Sequence, residues 1–198
     1  MRRTILGLAI ATAAMAGAGQ AEAGKLAGVT MPDTIIVAGK QLTLNGMGLR
    51  EATFLKIDVY VAGLYLEHVS SSPAAILAAD EARQLVLRFV RNVDRDDIIE
   101  AWNAGFAGNA TVPVAALRPH IARLDAWMPE FGGGDTLTFR YVPGEGVTVE
   151  INGARKGVIN DASFARSLFA IWLGPRPPTG DLKRGLLGNH PAARTEAR

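Results

Sequence analysis

The sequence predicts an α+β domain in which one large antiparallel sheet carries helices on a single face. Three observations lead there. About six segments alternate between apolar and polar residues with a period of two, and most are joined by short turns rich in Gly, Pro and Asn. The helical segments come in blocks rather than alternating with the strands, which disfavours a parallel sheet. With the N-terminal 23 residues set aside, 175 remain, enough for one domain with a sizeable core.

Taken in order, the chain opens with "MRRTILGLAIATAAMAGAGQAEAGK". Arg2 and Arg3 form a positive start, Ile5 to Met15 an apolar stretch, and Ala21-Glu22-Ala23 an A-x-A site. This is the pattern of a secretory signal peptide over residues 1–23, and it predicts a periplasmic or secreted protein cut after Ala23. The apolar part is shorter than the roughly 20 residues a membrane span needs, and no later segment is apolar enough to span. The folded domain is therefore expected over 24–188.

"TIIVAGKQLTLNG" predicts two short strands about a turn at Gly39-Lys40. "GLREATFLKIDVYVAGLYLEH", residues 48–68, reads as one long strand, regular from about Thr53 to Glu67. Leu55, Ile57, Val59 and Val61 lie on one side and Phe54, Lys56, Asp58, Tyr60 and Ala62 on the other. "SSSPAAILAAD" predicts a short helix with Ser72 as N-cap and Pro73 at its first position. "RQLVLRFVR" returns to period two, with Leu85, Leu87 and Phe89 on one side. "DRDDIIEAWNAGFAG" switches to helical spacing, with Ile98, Ile99, Trp102 and Phe106 apolar and Gly108 as a stop.

A second helix, "VPVAALRPHIARLDAWM", is expected to kink or break at Pro119. "TLTFRYVPGEGVTVEING" predicts two strands joined through Pro143 to Gly146, and Asn152-Gly153 demands a tight hairpin into another. "DASFARSLFAIWLG" predicts an amphipathic helix with Phe164, Leu168, Ile171 and Trp172 on one side and Phe169 at its edge. "TGDLKRGLLG" adds a brief helical piece, and residues 189–198 are expected to be a flexible tail.

Composition excludes several classes of function. Removing Arg2, Arg3 and Glu22 leaves 19 basic and 18 acidic residues, so nothing in the balance of charge points to nucleic acid. The chain has no cysteine, which rules out thiolate catalysis, thiolate metal sites and disulfides. His68, His120 and His190 are far apart and outside any metal-ligand spacing, so no metal is expected. No dinucleotide fingerprint, phosphate loop or nucleophile elbow is present, and no cofactor is expected. Asp94, Asp96 and Asp97 suit the first turn of a helix, where they favour its dipole. Trp102, Phe106, Phe169 and Trp172 are either core or the apolar wall of a ligand cavity.

Arg50 and Tyr60 share parity and so face one side of an extended strand. Ten extended residues nevertheless span about 33 Å. For both to hold one head group, a turn near Glu51-Ala52-Thr53 has to fold Arg50 back.

"LNGMGLREATFLKIDVYVAGLYLE" resembles the signature of the chalcone isomerase-like family: a G-x-G-x-R turn, then a strand ending in Y-x-x-G-L-Y-L. "NGARKGVI" and "FARSLFAIWLGPRPPTGDLKRGLLG" resemble the C-terminal part of its exported bacterial branch, so the resemblance covers about residues 30–188. It implies an open-faced β-sandwich, a large antiparallel sheet covered on one face by helices, with a ligand cleft between the layers. Enzymes of the family close a flavanone ring with an Arg in the G-x-R position, a Thr on the next strand, and a Tyr and Asn from the helical region. Fatty-acid-binding members use the Arg and a strand Tyr to hold a carboxylate.

Arg50 matches the Arg of both kinds, whereas the place of the strand Thr is Tyr60. No Tyr occurs in residues 94–128, and only Asn103 or Asn109 could stand in for the Asn. The resemblance therefore implies a non-catalytic binder of a small amphipathic anion such as a fatty acid. Arg50 and Tyr60 would hold the head and Trp102, Phe106, Phe169 and Trp172 the tail, with Lys56 a further ligand-binding residue. The alternatives are an intramolecular lyase of chalcone isomerase type and a structural or chaperone-like partner protein. Nothing in the sequence sets an oligomeric state.

Overall fold

The computed structural model describes residues 23–52 and 57–188. The expected signal segment lies outside the described residues apart from Ala23, as do Lys56 and the tail at 189–198. Two short strands, β1 (Ala23–Leu26) and β2 (Val29–Pro32), form a hairpin of their own. The main sheet has seven strands: β3 (Thr34–Val37), β4 (Lys40–Ala52), β5 (Ile57–Leu66), β6 (Arg83–Phe89), β7 (Thr136–Val142), β8 (Gly146–Ile151) and β9 (Ala154–Ile159). Each pairs antiparallel with the next, so the order in the sheet is the order in the chain.

The helices interrupt this meander in blocks. α1 (Pro73–Ala78) lies between β5 and β6, while α2 (Arg95–Asn109) and α3 (Val114–Trp127) lie between β6 and β7. α4 (Ala162–Leu173) and α5 (Gly180–Leu186) follow β9. The helices pack on one face of the sheet, giving the expected open-faced α+β sandwich.

Local signals account for most boundaries. Ser72 caps α1 by accepting from Ala75 N, and Pro73 opens it, where its missing N–H costs nothing. Asp161 and Thr179 cap α4 and α5 in the same way. Asn152 and Gly153 turn β8 into β9 with φ of 51° and 77°, the left-handed pair a two-residue hairpin needs.

The structure departs from expectation at four places. Residues 48–68 are not one strand: the stretches up to Ala52 and from Ile57 pair antiparallel as β4 and β5, with Ala52 opposite Ile57. Period two cannot reveal this, because parity survives the reversal. α3 runs through Pro119 from Val114 to Trp127 without a break. Proline removes one ladder bond there, but Leu117, Ile121 and Leu124 hold the helix down by burial. α4 is apolar almost all round, with Ala165, Ser167 and Ala170 buried along with the larger side chains, because it lies in the middle of the helical layer. The β1–β2 hairpin is an addition to the expected strands; at four residues each, its strands are too short to show a period.

β5 is buried on both faces. Tyr60, Ala62, Leu64 and Leu66 join the helices in the main core. Val61 and Tyr65 join Met31, Val37, Leu42 and Met47 in a smaller core on the other side. Tyr65 Oη donates to Pro32 O at 2.9 Å, which ties the β1–β2 hairpin to that face.

Candidate functional site

The antiparallel pairing of β4 with β5 removes the distance that separated Arg50 from Tyr60. They are direct partners across β4 and β5, so their side chains leave the same face side by side. The register slips by one residue just beyond, between Arg50 and Glu51. Such a bulge re-aims the side chains beside it.

The glycines before Arg50 serve packing. α5 lies directly on β4, so close that a methyl at Gly46 would overlap the Gly185 carbonyl and one at Gly48 the Leu182 carbonyl. Asn45 locks the same junction, donating to Leu186 O at 2.8 Å and to Ser70 O at 3.0 Å and accepting from Ser70 N at 2.7 Å. The G-x-G of the motif thus seats a helix, and the Arg two residues later emerges beside it.

Tyr60 is 4% exposed, and Trp172 Nε1 donates to its Oη at 3.1 Å. Burial pushes its pKa up to about 12, against the opposing pull of the Trp172 hydrogen bond and of the Arg50 charge. The phenol is therefore neutral at ordinary pH. With Trp172 occupying one lone pair, its own proton remains to be donated. The Arg50 guanidinium is half-buried and donates to Glu51 O. Among the described residues no carboxylate pairs with it.

Both side chains open into a cleft of about 810 Å³ between α2, the sheet and the loop after α4. That volume lies within the roughly 300–1,000 Å³ typical of small-molecule sites. Its apolar wall includes Val59, Ile98, Trp102 and Ile171, with Pro177 and Pro178 at the rim. Trp102 is buried edge-on to Trp172, and its Nε1 has no hydrogen-bond partner among the described residues. The remaining polar lining is Arg91, Asn92, Asp97, Glu100 and Arg176.

Of the residues singled out from sequence, Arg50, Tyr60 and Trp102 meet at this cleft. Trp172 stands behind Tyr60 as its hydrogen-bond donor and does not line the cleft. Phe106 is packed against Phe164 with ring centroids 5.7 Å apart, and Phe169 lies 5.3 Å from the Arg83 guanidinium; neither lines the cleft. Phe106 lies on the one buried stripe of α2, and Phe169 on α4, which is buried almost all round. Lys56 is outside the described residues.

Neither asparagine lines the cleft. Asn103 donates to Ile99 O on its own helix at 2.9 Å. Asn109, buried, grips the backbone of Arg176 from both sides: its Nδ2 donates to Arg176 O and its Oδ1 accepts from Arg176 N, each at 2.8 Å. Arg91 and Arg176 are additions to the residues expected from sequence. The one signal available was "GPRPP", where prolines flanking an Arg stiffen the loop that carries it.

A family model described as chalcone isomerase-like matches residues 23–188. Among solved structures, a fatty-acid binding protein of Arabidopsis thaliana is similar, with a TM-score of 0.65 at 19% identity over 85% of this chain and 97% of that one. No curated protein matches the chain.

Proposed function

The chain belongs to the chalcone isomerase-like family, and on that premise we propose that it is an exported, non-catalytic binder of a small amphipathic anion of fatty-acid type. The observation that carries this reading is the register pair Arg50–Tyr60. It offers a guanidinium without a carboxylate partner among the described residues, beside a neutral phenol with a proton to give, at a cleft with an apolar wall. An arginine fork and a phenol O–H together suit the two oxygens of a carboxylate. The name of the similar Arabidopsis protein agrees with such a ligand.

Energetics assign different parts to head and tail. A charge-assisted hydrogen bond contributes about 1.5–3 kcal/mol, and each buried methylene about 0.8 kcal/mol. Eight methylenes would then contribute about 6 kcal/mol, so the tail sets affinity and Arg50 sets orientation. Against an isomerase stands the donor set. Ring closure needs a group placed to stabilise an enolate oxygen, and its loss typically costs a factor of 10²–10³ or more. The helical region has no tyrosine, and its two candidate asparagines are committed to backbone carbonyls.

The test is calorimetric titration of the purified protein with a ten-carbon carboxylate and with the alcohol of the same length. Arg50→Ala is expected to weaken the acid by about 1–3 kcal/mol and leave the alcohol nearly unchanged. Arg50→Lys is expected to recover part of that loss, since a point charge lacks the fork. Equal binding of the acid by parent and Arg50→Ala would remove Arg50 from the site, and saturable cyclisation of a chalcone would restore the enzyme reading.

A further inference from the structure

We propose that the cleft is built for a dianionic, tetrahedral head group of phosphomonoester type, held by three arginines around Tyr60. This rests on the ligand-binding reading above and names the ligand's head. Three separate elements deliver the cations. Arg50 is the β4 partner of Tyr60. On the other side of β5, Tyr60 pairs with Phe89, the ladder continues through Val90 N donating to Val59 O at 3.0 Å, and Arg91 follows two residues after Phe89. Arg176 comes four residues after Trp172, whose indole donates to the Tyr60 oxygen. All three arginines line the same cleft as Tyr60.

Arg176 is held in place from two directions. Asn109 fixes its backbone N–H and C=O. Its aliphatic stem runs over Gly108 of α2, where a methyl would come within 3.4–4.0 Å of Arg176 Cβ, Cγ and Cδ. Asn109 also donates to Gly105 O at 2.9 Å, so one satisfied buried amide ties the Arg176 backbone to the end of α2.

The donor count decides between head groups. A carboxylate carries a single charge over two oxygens, a match for one arginine fork and the Tyr60 phenol. A phosphomonoester presents three oxygens and up to two charges, and several arginine forks match it. Asp97 and Glu100 also line the cleft, from the exposed side of α2. Among the described residues, no ion pair joins Arg50, Arg91 or Arg176 to Asp58, Asp97 or Glu100. Among the described residues the forks of Arg91 and Arg176 are therefore open to a ligand, as is the part of the Arg50 fork not given to Glu51 O.

The experiment compares decyl phosphate with decanoate, below their micelle concentrations, at about pH 8 and roughly 0.15 M salt. The parent is expected to bind the phosphate at least about tenfold more tightly. Arg91→Ala and Arg176→Ala are each expected to lose about tenfold for the phosphate and less than about threefold for the carboxylate. Both residues are exposed, so neither change threatens the fold. Equal affinity for the two ligands, with both variants indifferent, overturns the proposal. If Arg50→Ala still weakens decanoate in that case, the fatty-acid reading stands alone; if it does not, both fall.

Discussion

Gly48→Ala tests the junction that sets Arg50 in place. The added methyl would overlap the Leu182 carbonyl oxygen and lie 2.9 Å from Leu182 Cδ1 and 3.0 Å from its carbonyl carbon. Carbon–carbon contacts are most favourable at about 3.5–4.0 Å, so α5 has to retreat by about 0.5–1 Å. The obstacle is backbone, which cannot rotate aside, and Leu182 and Leu186 on that helix are fully buried. Overpacking of this kind costs about 1–3 kcal/mol, and the upper end, about 3, is expected. For a domain of this size that corresponds to a fall of roughly 6–12 °C in melting temperature.

Thermal and urea unfolding measure the cost. Gly133→Ala is the control, since its methyl would meet the nearest atoms at 3.6–3.7 Å, an ordinary contact. It is expected to stay within about 0.5 kcal/mol of the parent. Because α5 also anchors the cleft loop through Lys183 Nζ donating to Gly174 O at 2.7 Å, ligand affinity is expected to fall with stability. A Gly48→Ala protein as stable as the control would refute the packing account of the G-x-G motif.

Two more predictions concern Tyr60 and Pro119. Tyr60 has a folded pKa of about 12 against an ordinary value of 10, so the proton is held more tightly in the folded state. That contribution is complete below pH 10 and disappears as pH rises from 10 through about 12, a loss of about 2–3 kcal/mol. Tyr60→Phe is expected to cost about 1–3 kcal/mol at about pH 8, by leaving Trp172 Nε1 buried without its acceptor, and to flatten the alkaline decline. Tyr65, also raised to about 12, keeps part of the slope in the variant. Urea midpoints at about pH 8 and about pH 11 that fall in parallel for parent and variant would count against the buried phenol. Pro119→Ala restores a donor inside α3 at an exposed position and is expected to raise stability by about 1–2 kcal/mol. An unchanged or lower urea midpoint would mean that the helix is adapted to the proline.

What the sequence determined by itself was governed by near neighbours. Period two identified the strands around Leu85–Phe89 and Thr136–Ile151, Ser72-Pro73 announced α1, and Asn152-Gly153 announced a hairpin. Each signal arises within a few residues, so one sequence carries it whole. Arg50 and Tyr60 were legible as candidates because the family's motif contains both. Their meeting was not. Side-chain parity is the same for a straight strand and a folded one, and only the cross-strand register of β4 and β5 makes neighbours of residues ten apart.

The aromatic residues show the same limit from the other side. Helical spacing marks Trp102, Phe106, Phe169 and Trp172 as apolar, but the packing of α2 and α4 on the sheet and on each other decides which of them borders the cleft. Only Trp102 does; Trp172 became the donor that orients the Tyr60 hydroxyl. Arg91 carries no local mark of function, and Arg176 only the prolines that flank it. The two arginines reach the cleft because one follows a strand beside β5 and the other follows a helix whose last turn touches Tyr60. Local chemistry chose the elements, and the tertiary fold, through contacts more than a hundred residues apart in the chain, chose the site.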